Sequence, residues 1–187
     1  MIKKLLIIGV GGHGRCCLDI ARETEEYNEI YFLDDNGVGT TVNGAEIIGN
    51  IESICEYPKE YDVFVAVGNN TLRKELICRV ESLGHNVISL ISQKSIVSKY
   101  ATIECGSVIF PGVVVEANAI IGKGCIVTSN ATVNHDAIME EFSLVNSNTV
   151  VRPNAIIGNL AKIGSQCVIT FGKKVESGSV VPDGKIV

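Results

Sequence analysis

The sequence contains no C-x-x-C pair, no block of five or more Lys and Arg, and no apolar run long enough to span a membrane. The first absence removes the usual spacing of a zinc site. The seven cysteines (Cys16, Cys17, Cys55, Cys78, Cys105, Cys125 and Cys167) are odd in number and scattered, so no disulfide framework is expected either. A protein without a metal, residing in a reducing cytoplasm, is the expectation. The second absence, with a net charge of -5 and a pI near 5.2, argues against a phosphate backbone as ligand, so nucleic acid is not an expected partner. The third excludes a spanning helix, and the N-terminal run Lys-Lys-Leu-Leu-Ile-Ile at 3–8 reads as a buried strand rather than a signal-peptide core. No membrane is expected as a partner. With 187 residues, 46% hydrophobic and 20% charged, the chain has room for one or two globular cores and is too apolar for disorder.

What is present divides at about residue 92, where the periodicity changes. From Val97 onward every sixth residue is apolar: Val97, Ile103, Ile109, Val115, Ile121, Val127, Val133, Met139, Val145, Val151, Ile157, Ile163, Ile169, Val175 and Val181. A chance run of that length is on the order of one in 10⁵, and all but Met139 are β-branched. Three residues after most of these stands Gly, Asn or Asp, types that tolerate the positive φ of a tight corner, as at Gly106, Gly112, Asn118, Gly124, Asn130 and Asp136. One residue further stands a small residue such as Ala119, Cys125, Ala131 or Ala137. A large β-branched residue, a corner and a small residue repeated in six describe a solenoid, and residues 93–187 are expected to form a parallel β-helix of about five coils. Its flat faces predict a homotrimer closed about a three-fold axis.

Residues 1–92 alternate strands and helices, which implies a small Rossmann-like parallel sheet with its ligand crevice at the strand C-termini. The first strand runs into Gly9-Val-Gly11-Gly12-His13-Gly14 and a helix that buries Cys17, Ile20 and Ala21. A second strand, 29–33, ends in Asp34-Asp35. A third, 62–67, ends in Gly68-Asn69-Asn70, and a helix follows with Leu72, Leu76, Val80 and Leu83 on one stripe. The spacing Gly9-x-Gly11-x-x-Gly14, with Asp34 twenty residues beyond, matches the dinucleotide fingerprint. The residues leave three readings of this loop open: a nicotinamide dinucleotide site, a phosphate site at a helix N-terminus, or a turn that merely lets helix pack on strand.

The GVGGHG loop, the FLDD and AVGNN strand ends and the hexapeptide repeats carrying Asn134-His135-Asp136 occur here in one order over almost the whole chain. In that order they resemble the bacterial sugar acetyltransferases that include sialic acid O-acetyltransferases and UDP-4-amino-sugar N-acetyltransferases. The resemblance implies a left-handed hexapeptide-repeat β-helix, acetyl-CoA as acyl donor, and a sugar or nucleotide sugar of bacterial surface-glycan biosynthesis as acceptor. It also implies site residues. Gly11, Gly12, His13 and Gly14 would lie at the sugar diphosphate, Asp34 and Asp35 near the nucleoside, and Gly68 and Asn69 in the same crevice. His135 would be the catalytic base, with Asp136 beside it.

The chemistry gives His135 an independent reason. An amine or hydroxyl attacking a thioester must lose a proton, and an imidazole can accept it near neutral pH. No other histidine occurs in the repeat, and Asp136 falls on the corner step, where the pair can meet. His85 is expected to be structural, and Cys16 and Cys17 to serve packing. Three positions depart from the family pattern, one of them Thr128, where the family commonly has Asn seven residues before the catalytic histidine. Leu144 stands where the family has a second histidine, and Pro153 stands near a position where it has a glycine with a free N–H. These keep a non-catalytic nucleotide-sugar-binding trimer open as an alternative, and the glycine fingerprint keeps an NAD-linked oxidoreductase open as another.

Overall fold

The computed structural model describes residues 3–187, which form two compact units, one reaching to Leu90 and the other starting at Ile91.

In the first unit, β1 (Lys4–Ile8), β2 (Glu29–Leu33), β3 (Thr41–Val42), β4 (Ala45–Gly49), β5 (Asp62–Val65) and β6 (Asn86–Val87) form one sheet in the order β3-β4-β2-β1-β5-β6. Leu5 to Ile8 are all fully buried, as expected of a central parallel strand covered on both faces, which reads as a continuous apolar run. Helices α1 (Gly12–Glu23) and α2 (Asn70–Ser82) follow β1 and β5. The expected all-parallel sheet is in fact mixed, because β3 runs antiparallel to β4. The two-residue turn that joins them, Asn43-Gly44, has positive φ at both positions (48° and 76°), and such a turn links only antiparallel neighbours. The stripe of α2 also differs from expectation. Leu72 is 44% exposed, and the buried face is Arg73, Leu76, Ile77 and Val80.

The second unit is the left-handed parallel β-helix. Fifteen two-residue strands run from Ile96–Val97 to Val180–Val181, each ending on one of the sixth-residue positions. Each strand from Ile96–Val97 to Lys162–Ile163 pairs in parallel with the one 18 residues later, so three hexapeptides make a coil; Val97, Val115, Val133, Val151 and Ile169 form one such column. From Ile109 to Val181 the column residues are buried, each contributing about 1.5–3 kcal/mol of apolar burial, while Val97 and Ile103 in the first coil are half-buried. The corner residue has positive φ at all positions from Gly106 to Gly184, including Phe142, Leu160 and Gln166, which are not residue types that favour it. The small position behind the corner points inward. Ser107 and Thr149 use it to bridge coils, the Thr149 hydroxyl donating to Gly164 O (2.7 Å) and accepting from Cys167 N (3.0 Å).

Candidate active site

In the first unit the four glycines of the loop divide by role. A Cβ on Gly14 would stand 1.9 Å from Gly9 O, and one on Gly9, at φ +100°, would stand 3.0 Å from Ala66 O, so these two let α1 and β5 approach β1. A Cβ on Gly11 would meet nothing within 4 Å, and one on Gly12 only the Arg15 guanidinium at 3.9 Å. Packing therefore does not require glycine at 11 and 12. Both are exposed, and Gly11 is the N-cap of α1 with no side chain bonded to the helix start. That leaves the first N–H groups, with the positive end of the helix dipole, as an anion-accepting surface.

The acids and amide expected around this loop are all engaged in shaping it. Asp34 accepts the Val10 N–H on Oδ2 (2.9 Å) and the Asn36 N–H on Oδ1 (2.9 Å), so the acid of the dinucleotide fingerprint is bonded to the glycine loop itself. Asp35 Oδ1 accepts the Ile51 N–H (3.1 Å) at the start of the 3-10 helix Ile51–Glu56. Asn69 caps α2 by accepting the Leu72 N–H (3.0 Å), and a Cβ on Gly68 would meet nothing within 4 Å. His13 is half-buried. Burial first, and then the nearby Arg73 charge, push its pKa down to about 4, so it is neutral near pH 7.

Arg73 was missed by sequence reasoning. It is fully buried and donates to Val67 O (3.0 Å) and to Asn70 Oδ1 (2.8 Å), holding the β5–α2 turn from within. Its signal was its place on the 73-76-77-80 face, hidden by the apolar Leu72 beside it. Of the two cysteines expected to serve packing, Cys17 is buried and does so, whereas Cys16 is exposed on the outer side of α1; burial first, and then Cys16, raise the Cys17 thiol well above its usual range, which makes it a poor nucleophile. His85 is buried with Nε2 3.1 Å from Ile54 O.

In the second unit His135 and Asp136 lie at the corner that follows the strand Thr132–Val133, and Asp136 takes φ +59°. This is the geometry that lets neighbours in sequence meet: His135 Nδ1 is 2.7 Å from Asp136 Oδ2. A carboxylate can only accept, so the proton lies on Nδ1 and leaves Nε2 as a base. The imidazole is 54% exposed and accessible to a substrate. Two residues one coil earlier complete the corner. Glu116 Oε2 accepts the His135 N–H (2.8 Å), and Asn118 Nδ2 donates to Asp136 Oδ1 (3.2 Å). The bond with His135 first, and then that from Asn118, hold the Asp136 carboxyl below the usual carboxylate range. Pro153 occupies the middle of the next corner above His135, where it offers no N–H, and Leu144 is buried in the strand Leu144–Val145. Among the described residues no cluster of His, Cys, Asp or Glu could hold a metal, and no helix is long and apolar enough to cross a membrane.

Comparison with known proteins places both units. Residues 4–80 match the model of the PglD N-terminal domain, and residues 100–135 that of the bacterial transferase hexapeptide. UDP-N-acetylbacillosamine N-acetyltransferase of Bacillus subtilis (strain 168) is 32% identical over 112 residues, 58% of this chain and 51% of that protein, so the match spans about half the length of this curated relative. The acetyltransferase domain of PglB from Neisseria gonorrhoeae FA1090, solved in complex with acetyl coenzyme A, is 33% identical with a TM-score of 0.92, covering 100% of this chain and 96% of that one. A variant of GDP-perosamine N-acetyltransferase from Caulobacter crescentus is 22% identical, covers 100% of this chain and 89% of that one, and with a TM-score of 0.95 shares the fold. Two family models matched in the expected order, and a domain one-third identical from end to end, make this chain a member of the bacterial hexapeptide-repeat sugar acetyltransferases that join a PglD-type N-terminal domain to a left-handed β-helix.

Proposed function

We propose that the protein transfers an acetyl group from acetyl-CoA to the amino group of a nucleotide-linked amino sugar, with His135 as the base. The observation that carries this reading is the 2.7 Å contact of His135 Nδ1 with Asp136, on an exposed corner of a fold that a relative 33% identical uses with acetyl coenzyme A. The acceptor nitrogen attacks the thioester carbon. His135 Nε2 takes the proton as the N–C bond forms, and Asp136 stabilises the resulting imidazolium. The C–S bond then breaks, and the imidazolium proton passes to the departing CoA sulfur. Pro153 supplies no N–H, so the donors that stabilise the tetrahedral oxyanion must lie elsewhere on the chain or on a second copy.

The glycine loop is the proposed seat of the sugar diphosphate, supported by the open Gly11 and Gly12 and the uncapped start of α1. Asp34, Asp35, Gly68 and Asn69 shape the loops on either side of it. An amine rather than a hydroxyl acceptor is supported by the N-acetyltransferase relative; sialic acid is the hydroxyl-bearing alternative. A homotrimer is supported by the outward strand positions, where Ile96, Val114, Val150 and Val168 line one face and Ile120, Ile138 and Ile156 another. Ile96 is 70% exposed, an apolar row that association would cover.

Pro153 and Leu144 favour a second reading, a nucleotide-sugar-binding protein without turnover. Release of CoA from acetyl-CoA, measured across UDP-amino sugars, sialic acid and simple hexoses, separates the two. Release with a UDP-amino sugar alone supports the proposal. Thermal stabilisation by UDP without any CoA release supports the second reading and overturns the first.

A further inference from the structure

Asn118 and Asp136 sit at the same corner of successive coils, both with positive φ (60° and 59°). Stacked strands are about 4.8 Å apart, so side chains leaving equivalent corners with the same backbone conformation run side by side. Here that brings Asn118 Nδ2 to 3.2 Å from Asp136 Oδ1, while the other carboxylate oxygen, Oδ2, is 2.7 Å from His135 Nδ1. We propose that Asn118 is a positioning residue for this pair: it clamps Asp136 from the coil below, so that the carboxylate fixes both the plane and the tautomer of His135. The inference rests on the reading of His135 as the base.

The need for such a clamp follows from exposure. Asp136 and His135 side chains are 45% and 54% exposed, and a single hydrogen bond between two exposed side chains competes with water on nearly equal terms. A carboxylate held at both oxygens has one orientation left, and the imidazole it holds keeps its proton on Nδ1 and its lone pair on Nε2. The arrangement is nucleophile activation in outline, in which a base is oriented by a second group that is itself held in place. Glu116 differs in kind. Its bond to the His135 N–H recurs between Glu104 and Lys123 N and between Glu140 and Asn159 N, so it belongs to the coil-to-coil architecture.

The test is Asn118→Gly, because glycine already occupies the equivalent corner step at Gly106, Gly112, Gly124 and Gly172 with φ of 74°, 75°, 64° and 63°. The corner keeps its shape and loses only the amide. The expected result is a kcat about three- to tenfold lower, the size of one lost hydrogen bond, with the Michaelis constants of both substrates unchanged. Adding Asn118→Gly to Asp136→Asn should slow the enzyme no further. Asn118→Asp, which loses the donor and sets a like charge beside Asp136, should be slower than Asn118→Gly. The imidazole ¹⁵N spectrum should show the Nδ1–H tautomer in the parent and a shift toward Nε2–H in Asn118→Gly. That spectrum needs no turnover, so the clamp is decided even if the parent transfers no acetyl group, an outcome that would defeat the catalytic reading alone. An unchanged kcat in an active parent, or an unchanged tautomer in Asn118→Gly, overturns the proposal.

Discussion

Two alanine substitutions two residues apart should separate the structural glycine from the functional one. Gly14→Ala places a Cβ 1.9 Å from the Gly9 carbonyl oxygen and 2.9 Å from its carbon, contacts with backbone that no side-chain rotation relieves. Either α1 or the end of β1 must move by more than 1 Å or so, a change expected to cost about 3 kcal/mol or more. For a unit of this size each kcal/mol moves the midpoint by about 4–8 °C, so the first unit should melt at least 10 °C or so lower. Gly12→Ala meets only the tip of Arg15 at 3.9 Å and replaces glycine within a helix, which should leave stability unchanged or raise it by up to about 1 kcal/mol. Its effect should fall on the ligand: a methyl group over the start of α1 should weaken UDP-sugar binding by about tenfold or more. Tyrosine near-ultraviolet circular dichroism follows the first unit selectively, since Tyr27, Tyr31, Tyr57 and Tyr61 lie in it and Tyr100 alone lies in the other. Calorimetric titration with UDP-sugar reports the ligand. A Gly14→Ala protein as stable as the parent would refute the packing argument. Undiminished affinity in Gly12→Ala would reduce the loop to a packing turn.

Other consequences concern proton linkage and the coils. His13 titrates near 4 in the folded chain and near 6.5 when unfolded, so between those values the unfolded chain binds more protons and stability falls as pH drops, by roughly 3 kcal/mol at most. Urea unfolding at pH 7 and at pH 4.5 should show that loss in the parent, and His13→Gln should reduce it; His85, whose pKa is lowered by burial first and then by Lys59, adds in the same direction. Thr149→Val removes a buried hydroxyl that joins Gly164 O to Cys167 N and should cost about 1–3 kcal/mol in urea unfolding, while Thr149→Ser should recover most of it. Gln166 is exposed with φ +57°, so Gln166→Asn should raise stability by roughly 0.5–1 kcal/mol, and an equal or lower midpoint would show that this corner carries no strain.

The β-helix was legible because each hexapeptide repeats three independent demands: a β-branched residue for the column, a corner residue and a small residue behind it. Where one signal fails the others hold the register. Phe142 and Leu160 occupy the left-handed corner against their own preference because the strands on both sides are fixed by neighbouring coils. The first unit was legible less completely. The β3–β4 hairpin carries an Asn43-Gly44 signal but is flanked by only two and five residues of strand, too short for alternation to register. On α2, Leu76 and Val80 are buried as expected, but the edge of the face was misread because Leu72 reads as core and Arg73 does not. A buried guanidinium is stable there only through carbonyls that the fold brings to it.

The candidate site divides in the same way. His135 and Asp136 stood out because they are adjacent in sequence and fall on a corner. Asn118 and Glu116 did not, since they lie 18 and 19 residues before their partners and only a coil of 18 residues sets them side by side. Asp34 was visible as an acid at a strand end, but its bond to Val10 N depends on the path of the glycine loop.

The role of His135 as the base is tested most directly by turnover in His135→Asn, measured as CoA release with the best acceptor found for the parent, beside calorimetric titration of both ligands. Asparagine keeps the volume and a hydrogen bond to Asp136 but cannot take the proton. With the base removed, kcat should fall by about 10² to 10⁴ with both ligands bound as in the parent. A His135→Asn protein that turns over at the parent's rate would show that His135 is not the base.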